Sequence, residues 1–419
     1  MNSSIIALSS AFFAIFFWQS SFPSVYQHPI GGETQGSFSI VKKAFEWNFA
    51  EGLEREGASV AVYHNGQLKV HLWGGHADSS SDRLWRKDTT SMLFSSTKAV
   101  AALCVALLVD RGKIRYDDFV VKYWPEYGQE GKNGTTIEDV LTHKAGLPYL
   151  DERIHIEDVG TERIKRKLER AVPAWIPGTA SGYHAVTFGF ILDELFKKID
   201  GRNMATFFRE EIAEVYDLDV SIGLSPSQVH RAARLTLPSS FEYLRDVIRD
   251  PRLIAMLGIM HARFDGIIEK IVATNSWINF GYDMLTLNDP DVAGLPLPAV
   301  TGVATADSLA RLFSILLQGG IISNTTLSVL NQPTLDTWHI EKVVLYPLMK
   351  GHGFFYEAHP TLSNAYTFGH PGYGGQMVHV DPINNLVFVY ISNGLKTGSA
   401  ELCYPCMRLL RSVYQALPQ

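Results

Sequence analysis

Residues 92–112 read MLFSSTKAVAALCVALLVDRG, and this stretch predicts a central buried helix that begins at a serine. The residues after Ser95 are apolar on nearly every face, and Gly112 stands where helices commonly end in a left-handed residue. A helix without a polar face belongs in a protein core. Ser95 is therefore expected at the N-terminus of that helix, where unpaired backbone N–H groups favour negative charge.

Lys98 follows Ser95 by three positions, which places both side chains on the same face, one helical turn apart. Its amino group could take, relay or electrostatically stabilise the hydroxyl proton of a serine nucleophile. About one or two Ser-x-x-Lys spacings are expected by chance in a chain this long, and Ser39 with Lys42 is a rival. Ser39 precedes a surface-type helix, so Ser95 is the better candidate. The alternative for Ser95 is a plain helix cap beside a solvated lysine.

A tyrosine at a loop-to-helix junction is the second candidate. Residues 176–199, IPGTASGYHAVTFGFILDELFKKI, place Tyr183 between a Pro-Gly turn and a helix with apolar positions at helical spacing. A phenol has a pKa near 10, so Tyr183 acts as a base only if nearby cations favour the phenolate. Lys98 is expected to be one such cation. The alternative is a packing residue whose hydroxyl has a partner.

A glycine-rich turn is the third candidate, within residues 367–382, TFGHPGYGGQMVHVDP. The turn leads directly into the first strand of a late strand pair. Glycines let backbone approach a ligand at a sheet edge, and we expect Gly372 to lie against a substrate. An N–H group of this segment could supply an oxyanion donor. The alternative is an ordinary tight turn.

Strand signals lie near both ends of the chain. Asn65-Gly66 between two apolar or alternating runs predicts a hairpin, and the segments on either side of residues 381–385, DPINN, predict a second strand pair. Residues 405–417, PCMRLLRSVYQAL, predict a closing helix. Helical periodicity dominates between residues 95 and 300. These signals predict an α/β (α+β) fold in which an antiparallel sheet, flanked by N- and C-terminal helices, receives an inserted all-helical subdomain. The α/β part comprises about 41–95 and 300–419, and the helical part about 96–300.

Composition excludes several classes of protein. The 419 residues are 46% hydrophobic and 19% charged, as in an ordinary globular protein, and a net charge of −6 argues against a nucleic-acid partner. Cys104 is expected to be a core thiol, whereas Cys403 and Cys406 suit helix packing or one local disulfide. The apolar run from Ile5 to Trp18 predicts a signal peptide or membrane anchor within residues 1–30, hence a secreted or membrane-anchored protein of the secretory pathway. Membrane association through this segment is expected if it is an anchor.

With these elements in order, the sequence resembles the serine β-lactamase-like family, which includes class C β-lactamases, DD-peptidases, family VIII esterases and eukaryotic β-lactamase-domain proteins. The resemblance spans about residues 41–417. It rests on Ser95-Ser96-Thr97-Lys98 as S-x-x-K, on VLTHKAGLPYL at 140–150, on PGTASGY at 177–183, on VTGVATADSLARLFSILLQGG at 300–320 and on FGHPGYGGQ at 368–376.

The resemblance implies a β-lactamase/DD-peptidase-like fold and an acyl-enzyme mechanism. Ser95 attacks a carbonyl, Lys98 and Tyr183 manage protons, and water releases the acyl group. The resemblance also implies an oxyanion hole built from the backbone N–H groups of Ser95 and Tyr373. The expected substrate is a small-molecule or peptide acyl compound, and no cofactor or metal is expected.

Two departures from the family pattern affect the expected substrate. Ala185 replaces the asparagine of Y-x-N, and His370 holds the lysine position of K-T-G. Esters, amides or peptides are therefore expected in preference to β-lactam antibiotics. His370 is expected to face Ser95 across the cleft and to donate a hydrogen bond to substrate or to Tyr183. His143 is expected to be structural.

The literal tripeptide Lys396-Thr397-Gly398 comes after the last strand, so we expect it in a surface loop with a solvated lysine. It is a decoy for the third family motif. Neither a G-x-S-x-G nor an H-E-x-x-H motif is present, so other hydrolase mechanisms have no sequence support. The altered second and third motifs leave one alternative function, a catalytically silent, membrane-anchored scaffold or assembly protein.

Overall fold

The computed structural model describes residues 29–261, 266–336, 339 and 341–418. The targeting segment expected within residues 1–30 lies, apart from its last two residues, outside this range. Among the described residues, no helix combines the length and the apolar character that crossing a bilayer requires.

The strands are, in chain order, β1 (Ile30–Thr34), β2 (Gly57–His64), β3 (Gln67–Asp78), β4 (Arg83–Leu84), β5 (Ser91–Met92), β6 (Val220–Ile222), β7 (Gly302–Ala304), β8 (Met349–Gly351), β9 (Phe354–Ala358), β10 (Tyr366–Pro371), β11 (Met377–Asp381) and β12 (Leu386–Ser392). The main sheet has the order β1-β3-β2-β12-β11-β10-β9-β8, with β4 paired to β3, and its pairings are antiparallel. β2 pairs with β12, so both ends of the chain contribute to one sheet, as the sequence predicts.

The predicted hairpin is confirmed between β2 and β3. Asn65 and Gly66 both adopt left-handed backbone angles, with φ of 52° and 74°, as a type I′ turn requires. Asn65 N–H also donates to the Asn385 carbonyl in the turn between β11 and β12, at 2.9 Å. The two predicted strand pairs therefore meet at one end of the sheet.

The helices are α1 (Ser39–Ala50), α2 (Thr97–Asp110), α3 (Ile137–Leu141), α4 (Glu162–Arg170), α5 (Thr187–Ile199), α6 (Met204–Phe208), α7 (Ser240–Arg249), α8 (Arg252–His261), α9 (Ile267–Thr274), α10 (Pro290–Ala293), α11 (Ala306–Leu317), α12 (Asn324–Val329) and α13 (Tyr404–Ala416). α1 and α13 pack together against one face of the main sheet, and α11 packs against the other. Alternation along β2 serves both layers: Val60 and Val62 join the cluster under α1, whereas Ala61 and Tyr63 join the larger core.

Helices dominate the inserted region, and β6 is the one named strand among its described residues. β6 lies inside the range predicted to be all-helical and pairs with β7, which pairs in turn with β5 in a separate three-stranded sheet. The prediction was wrong at these residues because a three-residue strand is too short to show a recognisable period. This small sheet joins the helical region to the segment that leads into α2.

α2 is the buried helix that residues 92–112 predict. Its residues from Thr97 to Leu108 are all buried. It ends before Gly112, which has φ of 65°, and Lys113 N–H returns to the Leu108 carbonyl at 3.0 Å. These contacts satisfy the free carbonyls at the helix end. The helix provides a rigid support for the residues at its N-terminus.

Candidate active site

Ser95 lies in a single 3-10 turn, Phe94–Ser96, that runs directly into α2. Phe94 has φ of 48°, an uncommon left-handed conformation for a bulky residue, and this bend sets the position of the serine. Ser96 Oγ donates to the His370 carbonyl at 2.9 Å. The turn that holds the candidate nucleophile is thereby fixed to the end of β10.

Lys98 is fully buried beside Ser95. Its Nζ lies 3.4 Å from Ser95 Oγ, 2.8 Å from the Ala185 carbonyl oxygen and 3.0 Å from the Ala299 carbonyl oxygen. No carboxylate is among these partners, and burial holds the pKa of Lys98 well below its usual range. The expected juxtaposition of Ser95 and Lys98 is therefore present, and the geometry suits a lysine that can accept a proton.

Tyr183 completes a three-residue cluster. Its Oη donates to Ser95 Oγ at 2.8 Å, and its ring lies 5.0 Å from Lys98 Nζ. Burial raises the pKa of Tyr183, although the hydrogen bond with Ser95 opposes the shift. The expectation that Lys98 favours the phenolate is wrong, because desolvation dominates at this position. Tyr183 is placed as a neutral hydrogen-bond donor to the serine.

The two backbone groups expected to form an oxyanion hole are free to bind. Within the described residues, the N–H groups of Ser95 and Tyr373 donate no hydrogen bond. Tyr373 begins a short turn, Tyr373–Gly375, and its ring packs edge-on against Phe94 at 5.4 Å between centroids. A Cβ on Gly372 would lie 2.4 Å from the Leu93 carbonyl oxygen. Gly372 therefore lets the two turns approach each other, while its expected contact with substrate stays a prediction.

His370 is buried near Tyr183, at 6.1 Å between ring centroids, and stacks on Phe355 at 4.3 Å. Its Nδ1 lies 2.7 Å from the Pro371 carbonyl oxygen, which assigns the proton of the neutral ring to Nδ1. Burial, with the positive charge of Lys98, lowers the pKa of His370 to about 3. Among the described residues, its Nε2 has no hydrogen-bond partner. The neutral ring therefore offers an acceptor at Nε2, rather than the donor expected from the sequence.

Comparison with known proteins decides the family. The profile of the Beta-lactamase family matches residues 45–410. The chain belongs to the β-lactamase family. The esterase/beta-lactamase LipL of Mycobacterium tuberculosis is 31% identical over 371 residues, which cover 87% of this chain and 83% of LipL.

Two solved structures show the same fold. A penicillin-binding protein homologue from Caulobacter crescentus superposes with a TM-score of 0.76 at 30% identity, and a family VIII carboxylesterase with a TM-score of 0.80 at 28% identity. Each comparison covers 93% of this chain and all of the other. The resemblance inferred from the motifs is confirmed, and the protein is an enzyme of the β-lactamase-like serine hydrolase class.

Backbone groups hold the altered second motif of this β-lactamase-family chain in place. Ala185, which replaces the asparagine, contributes its carbonyl oxygen to Lys98. His184 Nε2 accepts a hydrogen bond from the Leu147 backbone N–H at 2.8 Å. The backbone N–H of His184 donates to His143 Nδ1 at 3.2 Å. The His143 ring packs edge-on against Tyr183 at 4.8 Å. These contacts give His143 the structural position expected for it.

A buried ion pair supports Tyr183, and sequence reasoning missed it. Glu341 and Lys350 have fully buried side chains, with 3.4 Å between Oε1 and Nζ. The backbone N–H of Tyr183 donates to Glu341 Oε1, and Lys350 Nζ donates to Ser181 Oγ at 2.8 Å. Burial lowers the pKa of Lys350, and Glu341 opposes that shift. The only available signal was two charged residues in otherwise uninformative sequence, which predicts nothing by itself.

Lys396 is not solvated, and its amino group pairs with Glu54 rather than with Ser95, Lys98 or Tyr183. Its Nζ lies 2.6 Å from Glu54 Oε2, and the two side chains are 8% and 0% exposed. The expectation of a solvated lysine is wrong because Glu54, more than three hundred residues earlier, is buried at the same place. Its absence from the described cluster fits the expectation of a decoy.

Cys104, Cys403 and Cys406 are buried free thiols, so the local disulfide left open by the sequence is not formed. Over the described ranges, no group of three or more histidine, cysteine, aspartate or glutamate residues is arranged to hold a metal ion.

Proposed function

We propose that this protein hydrolyses an acyl substrate through a covalent acyl-enzyme on Ser95, and that it acts on esters, amides or peptides in preference to β-lactams. One observation carries the proposal: Ser95 Oγ lies within reach of Tyr183 Oη at 2.8 Å and of Lys98 Nζ at 3.4 Å. A serine between a hydrogen-bond donor and a buried amine is arranged for activation.

In the acylation step, Ser95 Oγ forms a bond to the carbonyl carbon while its proton passes to the lone pair of neutral Lys98. Tyr183 donates to the same oxygen and positions its lone pair for attack. The developing oxyanion accepts hydrogen bonds from the N–H groups of Ser95 and Tyr373. Burial serves this step, because it favours the uncharged form of Lys98 that can take a proton.

Collapse of the tetrahedral intermediate breaks the bond to the leaving group, which takes a proton from Lys98 directly or through Tyr183. Water then attacks the acyl carbonyl, Lys98 takes the proton of that water, and the Ser95 oxygen leaves and is reprotonated. Residues of this chain can supply every proton transfer.

Two features support an ester or amide over a carboxylated β-lactam. At the third motif, His370 has a pKa lowered to about 3 by burial, so this position holds no fixed cation for a substrate carboxylate. At the second motif, the methyl group of Ala185 cannot hydrogen-bond a side-chain amide. The relative LipL is named an esterase/beta-lactamase, which makes esters the first class to assay.

A fluorophosphonate probe tests the proposed nucleophile. The full chain should be labelled, and Ser95→Ala should abolish labelling. Ser39→Ala is the matched control, because Ser39 has the same Ser-x-x-Lys spacing but begins α1. It should label like the wild type. Equal labelling of Ser95→Ala and wild type would contradict the proposal, and no labelling of the wild type would favour a silent scaffold.

A further inference from the structure

Helix α7 presents its apolar side to solvent. Phe241, Leu244 and Ile248 follow the i, i+3, i+7 spacing of one helix face and are 52%, 50% and 66% exposed. No residue of the helix is buried. A surface helix ordinarily turns such a face toward the core.

The charged side of α7 instead holds the helix to the protein. Arg245 Nη1 donates to the Gly52 carbonyl at 2.9 Å, and Asp246 Oδ2 accepts from Thr397 Oγ1 at 2.8 Å. Glu242 pairs with Arg55 at 3.4 Å. These contacts fix the rotation of α7, so its apolar side stays outward.

The exposed apolar surface extends beyond this stripe. Tyr243 is 40% exposed, and Ile254 on the neighbouring α8 is 58% exposed. We call these five residues, Phe241, Tyr243, Leu244, Ile248 and Ile254, the apolar ledge. Isolated exposed apolar residues are common, but Phe241, Leu244 and Ile248 adjoin one another on one helix face, which is typical of an interaction surface.

The apolar ledge lies beside the candidate active site. The segment before α7 is bound to the chain after β12, where Leu395 N–H donates to the Thr236 carbonyl at 2.9 Å. The next residue, Lys396, donates its N–H to the Gly374 carbonyl at 2.9 Å, within the turn that carries Tyr373. Burial and, after it, the nearby Tyr243 raise the pKa of Tyr373. The ledge therefore adjoins the turn that supplies the second oxyanion donor.

The N-terminal end of the described chain approaches the same side. Ile30 and Phe49 both lie within 3.3 Å of the position that a Cβ on Gly74 would take. Phe49 is one turn before Gly52, whose carbonyl binds Arg245 of α7. The apolar run from Ile5 to Trp18 comes before Ile30 in the sequence. The segment that joins Trp18 to Ile30 can span at most roughly 40 Å.

We propose that the apolar ledge docks on the surface of a lipid bilayer, with the candidate active site beside the contact. Large aliphatic side chains with a neighbouring tyrosine suit the boundary between acyl chains and headgroups. The described chain begins on the same side as the ledge, after a segment that follows the apolar run from Ile5 to Trp18 in the sequence. The five ledge residues carry no charge, so binding does not require anionic lipid. Docking is independent of whether Ser95 is a nucleophile.

An environment-sensitive fluorophore on the full chain tests this proposal. Leu244→Cys is labelled with a nitrobenzoxadiazole maleimide. The native cysteines are buried, so the maleimide should react with the introduced cysteine. Vesicles of phosphatidylcholine are then added. Ile383→Cys is the matched control, because Ile383 is 52% exposed and lies at the opposite end of β12. We expect the Leu244 label to brighten at least about twofold with a blue shift, and the Ile383 label to stay unchanged.

Three outcomes would overturn the proposal. Equal responses of the two labels to lipid, or no response of either label, would overturn it, and co-flotation of the protein with vesicles in that case would assign binding to another segment. A response of the Leu244 label to protein concentration without lipid would indicate a second copy on the ledge. A blue-shifted Leu244 label that is insensitive to lipid would mean that the chain itself covers the ledge. Turnover of a soluble ester by the same labelled protein reports separately on the proposed hydrolase.

Discussion

Lys98 has a buried amino group with no acidic partner among the residues that the structure describes. Its hydrogen-bond partners are two carbonyl oxygens and the Ser95 hydroxyl, and burial lowers its pKa. The unfolded chain binds a proton on this residue up to about pH 10.4, whereas the folded chain releases it at lower pH. The residue that favours proton transfer therefore opposes folding.

Replacing Lys98 by Met should separate these two effects. We expect acylation to fall by at least ~10², and the free energy of unfolding near neutral pH to rise by about 0.5–2 kcal/mol. The wild type gains stability as pH rises from the lowered folded pKa to the unfolded pKa, because the unfolded state binds more protons. The difference in unfolding free energy between Lys98→Met and the wild type should therefore become smaller as pH rises. Denaturant titrations of both proteins at several pH values test this, and a constant difference would contradict it.

Tyr183 should act as a donor rather than as the base. We expect Tyr183→Phe to cut acylation by at least ~10² while leaving the pH at which the rate rises unchanged, because that rise belongs to Lys98. Combined with Lys98→Met, the loss should be far from additive. Single-turnover acylation across a pH series measures both quantities. A phenylalanine variant whose pH-rate profile moves to another midpoint would assign the base to the phenol.

His370 should contribute as a neutral acceptor. His370→Ala removes the unpartnered Nε2. The substitution should lower kcat/KM at least about tenfold, because one lost polar contact costs ~1.4 kcal/mol of transition-state stabilisation. Because burial lowers the pKa of His370 to about 3, the ring stays neutral at all higher pH. The variant should therefore keep the shape of the wild-type pH profile between about pH 5 and 8. Loss of a titration in that range would show that His370 is charged in the reaction.

At the scale of elements, the segment before β8 folds over the start of α5 through Glu341. This carboxylate accepts the Tyr183 N–H with one oxygen and the Val343 N–H with the other, at 2.8 Å for the latter. Lys350 on β8 balances its charge. A buried pair of this kind stabilises little by itself, but either partner alone is costly.

Glu341→Ala should destabilise the fold by about 3–5 kcal/mol and lower the acylation rate, because Tyr183 loses its backbone partner. Glu341→Gln keeps an acceptor at the same place. Together with Lys350→Met, it should recover most of the stability, since no unpaired charge stays buried. The unfolding free energies in urea and the single-turnover rates of the single and double variants complete a double-mutant cycle. Strict additivity of the two substitutions would contradict energetic coupling between Glu341 and Lys350.

Lys396 joins the chain after β12 to the segment after α1. Lys396→Ala leaves the Glu54 carboxylate buried, with Tyr390 Oη as its remaining hydrogen-bonding partner at 2.5 Å. We expect a loss of about 3–5 kcal/mol in stability. Turnover of the folded fraction should stay within about twofold, because the bond from Lys396 N–H to Gly374 is a backbone contact that survives. A catalytic Lys396 would instead show a low kcat at full stability.

At the scale of the whole molecule, the sequence predicts what local chemistry determines. Asn65-Gly66 determines its hairpin because few residues tolerate the left-handed angles of that turn. The position of Ser95 and Lys98 follows from helical spacing and from the apolar helix after them. The closing helix α13 likewise follows from its apolar period and from Pro405 in its first turn.

Features that depend on contacts between distant residues were missed. Glu341 and Tyr183 are 158 residues apart, and Lys396 and Glu54 are 342 apart, so no local pattern connects either pair. The protonation of Tyr183 and the donor role of His370 were also misjudged, because desolvation depends on how completely the surrounding elements close over them. The sequence therefore predicted which side chains come together more reliably than it predicted their protonation states.

The pairing of β2 with β12 has a consequence for synthesis on the ribosome. His64 pairs with Leu386, so an edge of β2 stays without its neighbour while more than three hundred further residues are made. At about 5–20 residues per second, this wait lasts roughly 15–65 s. The apolar, β-branched strand is exposed throughout, which is the condition that favours aggregation of nascent chains. The protein is therefore expected to depend on chaperones during translation, although the finished sheet buries this edge completely.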